Sequence, residues 1–120
     1  ILFSNLVANA INYTPEGQPV AISERREDEG IHVLVEDHGI GIAEEALPRI
    51  FEEYFRTKEA LSINPGSTGL GLAIVKEIVQ REELKLSVTS EIGRGTMFDV
   101  AIPAGRCEFS KEQVPWHESR

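Results

Sequence analysis

Cysteine is almost missing from these 120 residues. Cys107 stands alone, which excludes an internal disulfide and a cysteine-built metal cluster and suits a reducing compartment. Long apolar runs are missing too: none approaches the ~20 residues of a membrane span, and there is no signal-peptide pattern. Positive charge is scarce, with 12 Lys and Arg against 20 Asp and Glu and a net charge of −8. That balance argues against nucleic acid and anionic membrane as partners, since both want a basic face. A bound polyphosphate must therefore be held locally, by a metal, backbone N–H groups and a few placed cations. An opening methionine is also lacking. The chain begins at Ile1 inside an apolar pattern and reads as a cytoplasmic piece of a longer protein, cut within a helix.

What is present is enough for one domain and one core. Apolar residues make up 41% and charged residues 27%, the values of an ordinary globular unit. Leu2, Leu6, Ala10 and Tyr13 recur at helical spacing, so residues 1–13 read as an amphipathic helix, ended by Thr14-Pro15. Residues 19–24 and 31–37 alternate, with Val20 and Ile22, then Ile31, Val33 and Val35, pointing inward; they read as an antiparallel hairpin around a charged turn from Arg25 to Gly30. A glycine turn, 38–41, precedes a short helix over 43–50. Residues 51–56 form an aromatic cluster, and 57–68 show no period and read as a loop. A second amphipathic helix covers 72–83. Strands 85–91 and 96–102 follow, joined by Gly93-Arg94-Gly95, and 104–120 read as a polar tail. The fold class is α+β: a two-layer sandwich with one mixed, mostly antiparallel sheet and helices on one face.

Three constellations carry chemistry. Asn5, Asn9, Asn12 and Tyr13 share a helical face, although asparagine is a poor interior helix residue. The row is either a solvated polar face or a line of amide oxygens turned to a cation and phosphates, since hard oxygen ligands suit magnesium. Asp37-His38-Gly39-Ile40-Gly41 ends a strand. It is either a plain turn or a site where a carboxylate accepts from an exocyclic amine, as on adenine, while glycines let the backbone approach a flat ring. A dinucleotide-binding fingerprint fails because its third glycine would be Glu44. Gly66-Ser67-Thr68-Gly69-Leu70-Gly71-Leu72 opens a helix, whose N-terminal N–H groups favour an anion. It is not a P-loop, since Leu72 stands where lysine is required.

The order of these motifs resembles the ATP-binding catalytic domain of sensor histidine kinases, a Bergerat-type ATPase fold. NLVANAINYTPEG is similar to that family's N box, DHGIGI to its first glycine box, IFEEYFR to its aromatic box, STGLGLAIVKEIV to its second glycine box and SEIGRGTMFDVAIP to its last hairpin. The resemblance covers residues 1–103, leaving 104–120 as a tail. It implies that the start of the domain, a strand and the first turns of the Asn helix, lies upstream.

The resemblance implies the site residue by residue. Asn9 would ligate Mg2+, with Asn5 a second candidate, and Asn5 and Asn12 would lie along the phosphates. Tyr13 would pack on adenine and Asp37 would accept from its amine. Gly39, Gly41 and Ile42 would line the ring, and Thr96 would place a hydroxyl near it. Arg56, with Lys58 beside it, would approach the phosphates, while Ser67, Thr68, Gly69, Leu70, Gly71 and Leu72 wrap them. Residues 57–68 would form an ATP lid. In related ATPases a Glu stands at the position of Asn5 and activates water. Asn is no base at neutral pH, so the implied chemistry is transfer of the γ-phosphoryl group to a histidine on a separate dimerisation hairpin, then to a response regulator. The catalytic residues would be Asn9 and Arg56, the parent a homodimer and the isolated fragment a monomer without direct membrane contact. Asn12 replaces a usual Lys, Glu53 adds negative charge to the aromatic box, and Arg81-Glu82-Glu83 replaces a His-Gly-type helix end. Two alternatives stand beside this reading: a non-catalytic nucleotide-binding regulatory module and an anti-sigma-type serine kinase. Of the histidines, His32 and His38 read as structural, and His117 has no helix to carry it.

Overall fold

The computed structural model describes residues 1–63 and 69–105. Of the tail read over 104–120, residues 106–120 lie outside them, as do Ser67 and Thr68.

Helix α1 spans Leu2–Tyr13 and buries Leu2, Leu6 and Ala10, one side chain per turn on the inward face. Leu6 is fully buried, which contributes about 1.5–3 kcal/mol. Thr14, with φ −101° and ψ 130°, has the extended backbone imposed by a following proline. Strand β1, Ala21–Glu27, pairs with β2, Gly30–Glu36, as an antiparallel hairpin. After a loop come a short 3-10 helix, Glu44–Arg49, and helices α2, Lys58–Ile63, and α3, Gly71–Arg81. Strands β3, Lys85–Glu91, and β4, Gly95–Pro103, complete a four-stranded sheet in the order β1-β2-β4-β3. All three pairings are antiparallel.

The register sets the core. Val35 lies opposite Phe98 and Phe98 opposite Val88, while Val100 lies between Val33 and Leu86. These side chains share one face of the sheet, and α1 and α3 cover it with Leu6, Val75 and Val79. The other face carries His32, whose Nδ1 lies 2.8 Å from Asp99 Oδ1 and whose Nε2 lies 3.3 Å from Glu27 Oε1. His32 thus takes the structural role its strand position suggested.

Several sequence expectations shift. The first strand runs three residues further, through Arg25, Arg26 and Glu27, because an edge strand with no buried face places no demand on side-chain polarity. Ile22 is not inward in any burying sense: it faces the side of Val35 but is 60% exposed, on the edge strand of the sheet. The helix expected at 43–50 is a 3-10 helix containing Pro48, whose missing N–H and ring disfavour an α-helical interior. Residues 57–68 are not all loop. Thr57 opens α2 by accepting the Ala60 N–H on its hydroxyl at 3.0 Å, and a six-residue helix is too short to show a period. The four described strands form a purely antiparallel sheet instead of a mixed one.

Candidate active site

A cavity of about 290 Å³ opens between α1, the glycine turn and the start of α3. One wall is α1: Asn5, Ala8, Asn9, Asn12 and Tyr13 all line the space, the single face that their spacing of three and four predicts. The Asn5 Nδ2 donates to the Ile1 carbonyl at 3.0 Å. Its Oδ1 is thereby turned towards Gly71, where a β-carbon would come within 3.6 Å of it. Gly71 begins α3, whose N-cap Leu70 makes no side-chain capping bond and whose first turn carries no acid. A helix N-terminus of this kind favours an anion. The cavity therefore has a donor-rich end bordered by amide oxygens.

The opposite end is built on Asp37, just beyond the C-terminus of β2 and 6% exposed. Its Oδ1 accepts the Gly39 N–H at 2.8 Å and the Thr96 N–H at 3.2 Å. Burial pushes the carboxyl above its ordinary value; the two backbone N–H bonds and nearby His38 oppose that rise, and Glu36 adds to it. The net upward direction means that desolvation wins. The carboxylate's second oxygen remains for a donor from the cavity.

The turn after Asp37 depends on two glycines. Gly41 has φ +75°, and a β-carbon there would strike the Glu91 carbonyl; at Gly39 it would strike the carbonyl of Tyr13. Close approach is thus used against protein backbone at both positions. The turn is stitched to the β3–β4 hairpin by Gly93 N–H to the Ile40 carbonyl at 2.9 Å and by Ile42 N–H to Ser90 Oγ at 2.7 Å.

The roof comes from the aromatic segment. Phe55 lines the cavity beneath the Arg49 guanidinium, 4.4 Å from its ring centre. Tyr54 adopts φ 66° and donates its N–H to the Gly69 carbonyl at 3.0 Å, tying the segment to the approach to α3. Arg56 reaches inward, with Nη2 3.5 Å from the Tyr13 hydroxyl and 3.3 Å from the Ala60 carbonyl. It links α1 to α2.

Among the described residues the cavity gathers Asn5, Asn9, Asn12, Tyr13, Asp37, Gly41, Ile42, Arg56, Gly69, Gly71, Leu72 and Thr96 from the sequence-derived set. Gly39, Lys58 and Leu70 are not in its wall. Gly39 serves inside the turn, Lys58 is exposed at the start of α2, and Leu70 is the N-cap of α3. Sequence reasoning missed Ala8, Ile40, Ile50, Phe55, Thr57 and Ala60. Ala8 was findable from the 5-8-9-12 helical face. Thr57 and Ala60 came with α2, which has no readable period.

The chain belongs to the family of histidine kinase-, DNA gyrase B- and HSP90-like ATPases, whose model matches residues 1–106. Within that family it is similar to the sensor-like histidine kinase SenX3 of Mycobacterium bovis, with 46% identity over 101 residues, 84% of this chain and 25% of that protein. The chain thus spans about a quarter of the length of the curated relatives it matches. Among solved structures it resembles the mycobacterial sensor histidine kinase MprB, with a TM-score of 0.76, 30% identity and coverage of 85% of this chain and 69% of that one. It also resembles full-length ShkA in complex with AMPPNP, with a TM-score of 0.67, 28% identity and coverage of 86% and 22%. Among the described residues no helix is long and apolar enough to cross a membrane.

Proposed function

We propose that this chain binds Mg-ATP and, as the catalytic domain of a sensor histidine kinase, transfers the γ-phosphoryl group to a histidine on a separate dimerisation hairpin, from which a response regulator receives it. The observation that carries this reading is the polarity of the cavity. An acceptor carboxylate stands at one end, and amide oxygens beside an uncapped helix N-terminus stand at the other. A purine with an amino group and a polyphosphate chain match those two ends. ShkA was solved with AMPPNP, which supports an adenine nucleotide here.

The donor set fits magnesium arriving with the nucleotide. Asn9 and Asn5 offer neutral amide oxygens, hard ligands that require phosphates to complete and neutralise the shell. Among the described residues no group of three His, Cys, Asp or Glu side chains is arranged to hold an ion. When bound, Mg2+ supplies neutralisation of the phosphate charge. The chain's own contribution is positioning: Asp37 fixes the base, Tyr13 packs beside it, and the α3 N-terminus orients the phosphates. Asn5 in place of a carboxylate leaves water without a base, which favours an outside nucleophile over hydrolysis.

The test is a calorimetric titration with Mg-ATP followed by transfer of labelled γ-phosphate to a supplied hairpin carrying its histidine. Binding with transfer supports the kinase. Binding without transfer supports the regulatory module, a reading that Asn12 favours because it gives the cavity wall an amide where the resemblance implies a cation.

A further inference from the structure

Behind the base end of the cavity lies a hydroxyl relay of which the nucleotide reading uses only Thr96 and leaves Ser90 without a role. Ser90 on β3 and Thr96 on β4 are register partners, and their oxygens are 2.7 Å apart. Ser90 Oγ also lies 3.0 Å from the Gly95 carbonyl oxygen and accepts the Ile42 N–H at 2.7 Å. Thr96 and Ile42 line the cavity; Ser90 connects them from one layer back.

The direction of the relay follows from counting hydrogens. The Gly95 carbonyl can only accept and the Ile42 N–H can only donate. Ser90 has one hydrogen. If it went to Thr96, two oxygens would face each other at 3.0 Å with no hydrogen between them. The arrangement that satisfies every group has Thr96 donating to Ser90 and Ser90 donating to Gly95. The Thr96 hydroxyl hydrogen is then spent, and Thr96 Oγ1 offers only lone pairs to anything else. Its backbone N–H is held as well, by Asp37 Oδ1 at 3.2 Å, so the residue is fixed at two points. Thr96 is 7% exposed, which makes an unmatched partner costly.

We propose that Ser90 is a positioning residue for base selection: by taking the Thr96 hydrogen it fixes Thr96 as an acceptor beside the acceptor oxygen of Asp37. This rests on the nucleotide reading above and deepens it. Two adjacent acceptors suit a base edge with an exocyclic amine, which has two hydrogens to give. They repel a carbonyl at the same place. Without Ser90 the Thr96 hydroxyl is released to turn its hydrogen towards that carbonyl.

The experiment compares affinities for Mg-ATP and Mg-ITP, whose base carries a carbonyl in place of the adenine amine. S90A should narrow the ATP-over-ITP preference about fivefold, the worth of one neutral hydrogen bond, and S90T, which keeps the hydroxyl, should restore it. In a T96V background S90A should leave the ratio unchanged, because Ser90 acts through Thr96. A ratio unmoved by S90A, or one that S90A still shifts without the Thr96 hydroxyl, overturns the proposal. A general loss of packing would weaken both nucleotides equally and so leave the ratio where it was. If the unsubstituted chain binds neither nucleotide, the nucleotide reading itself falls and this inference with it.

Discussion

Asp37 separates what the fold needs from what the site needs, and two substitutions at this one position expose the difference. Oδ1 holds the buried N–H groups of Gly39 and Thr96 at 2.8 and 3.2 Å, so it fastens the glycine turn to the head of β4. Asp37→Ala leaves both donors unmatched. At about 1–3 kcal/mol for each buried unsatisfied group, the loss should total about 2–6 kcal/mol. Asp37→Asn keeps an oxygen for both donors and removes a carboxylate whose burial is unfavourable. Its stability at neutral pH should match or exceed that of the parent chain. Binding should respond in the opposite sense. In the Asn variant an amide NH2 replaces the second acceptor oxygen and meets the base amine donor to donor. Losing a hydrogen bond to a charged group costs about 1.5–3 kcal/mol, roughly 10- to 150-fold in Kd. Urea unfolding and Mg-ATP calorimetry on both variants provide the readings. An Asn variant as unstable as the Ala variant would refute the role given to Oδ1, and an Asn variant with full ATP affinity would refute Asp37 as the reader of the base.

The remaining predictions use the same geometry. Because burial raises the Asp37 pKa, the fold favours its protonated form. That contribution is present in acid, below the ordinary value of 3.8, and is lost as pH rises through the higher folded value. The stability of Asp37→Asn relative to the parent should therefore grow as pH rises through that window, measured by unfolding at a series of pH values. Mg-ATP affinity should weaken on acidification, with its onset above the pH at which an unperturbed aspartate titrates. Asn9→Ala should abolish the magnesium dependence of nucleotide binding, seen as equal affinities with Mg2+ and with a chelator; a preserved difference would show the metal assignment wrong. Gly41→Ala places a β-carbon at φ +75° against the Glu91 carbonyl. The left-handed backbone alone costs about 1–2 kcal/mol, and the collision should carry the loss of thermal stability beyond that. Asn12→Lys should tighten Mg-ATP binding several-fold in low salt and less in high salt, since the gain is between partly exposed charges.

How much of this was legible in the sequence depended on whether a segment's pattern was set by one buried face. Residues 2–13 and 71–81 each bury one stripe, Leu2, Leu6 and Ala10 in the first and Val75 and Val79 in the second, so a period of 3.6 marked them. Strand β3 half-buries every second side chain and could be bounded to the residue. Strand β1 buries none. Its ladder is made by backbone alone, so Arg25, Arg26 and Glu27 looked like a turn while pairing with His32, Ile31 and Gly30. The same reasoning divides the site. The Asn row and Asp37 were readable because each places an uncommon polar group where a helix or strand would not otherwise want one. Ser90 was not, because a serine at an inward position of an alternating strand is unremarked until the fold brings Ile42, Gly95 and Thr96 around it. Local sequence therefore marks the groups that would meet a ligand. The groups that aim them depend on contacts across 48 residues, as between Ile42 and Ser90, and appear only once the sheet register is known.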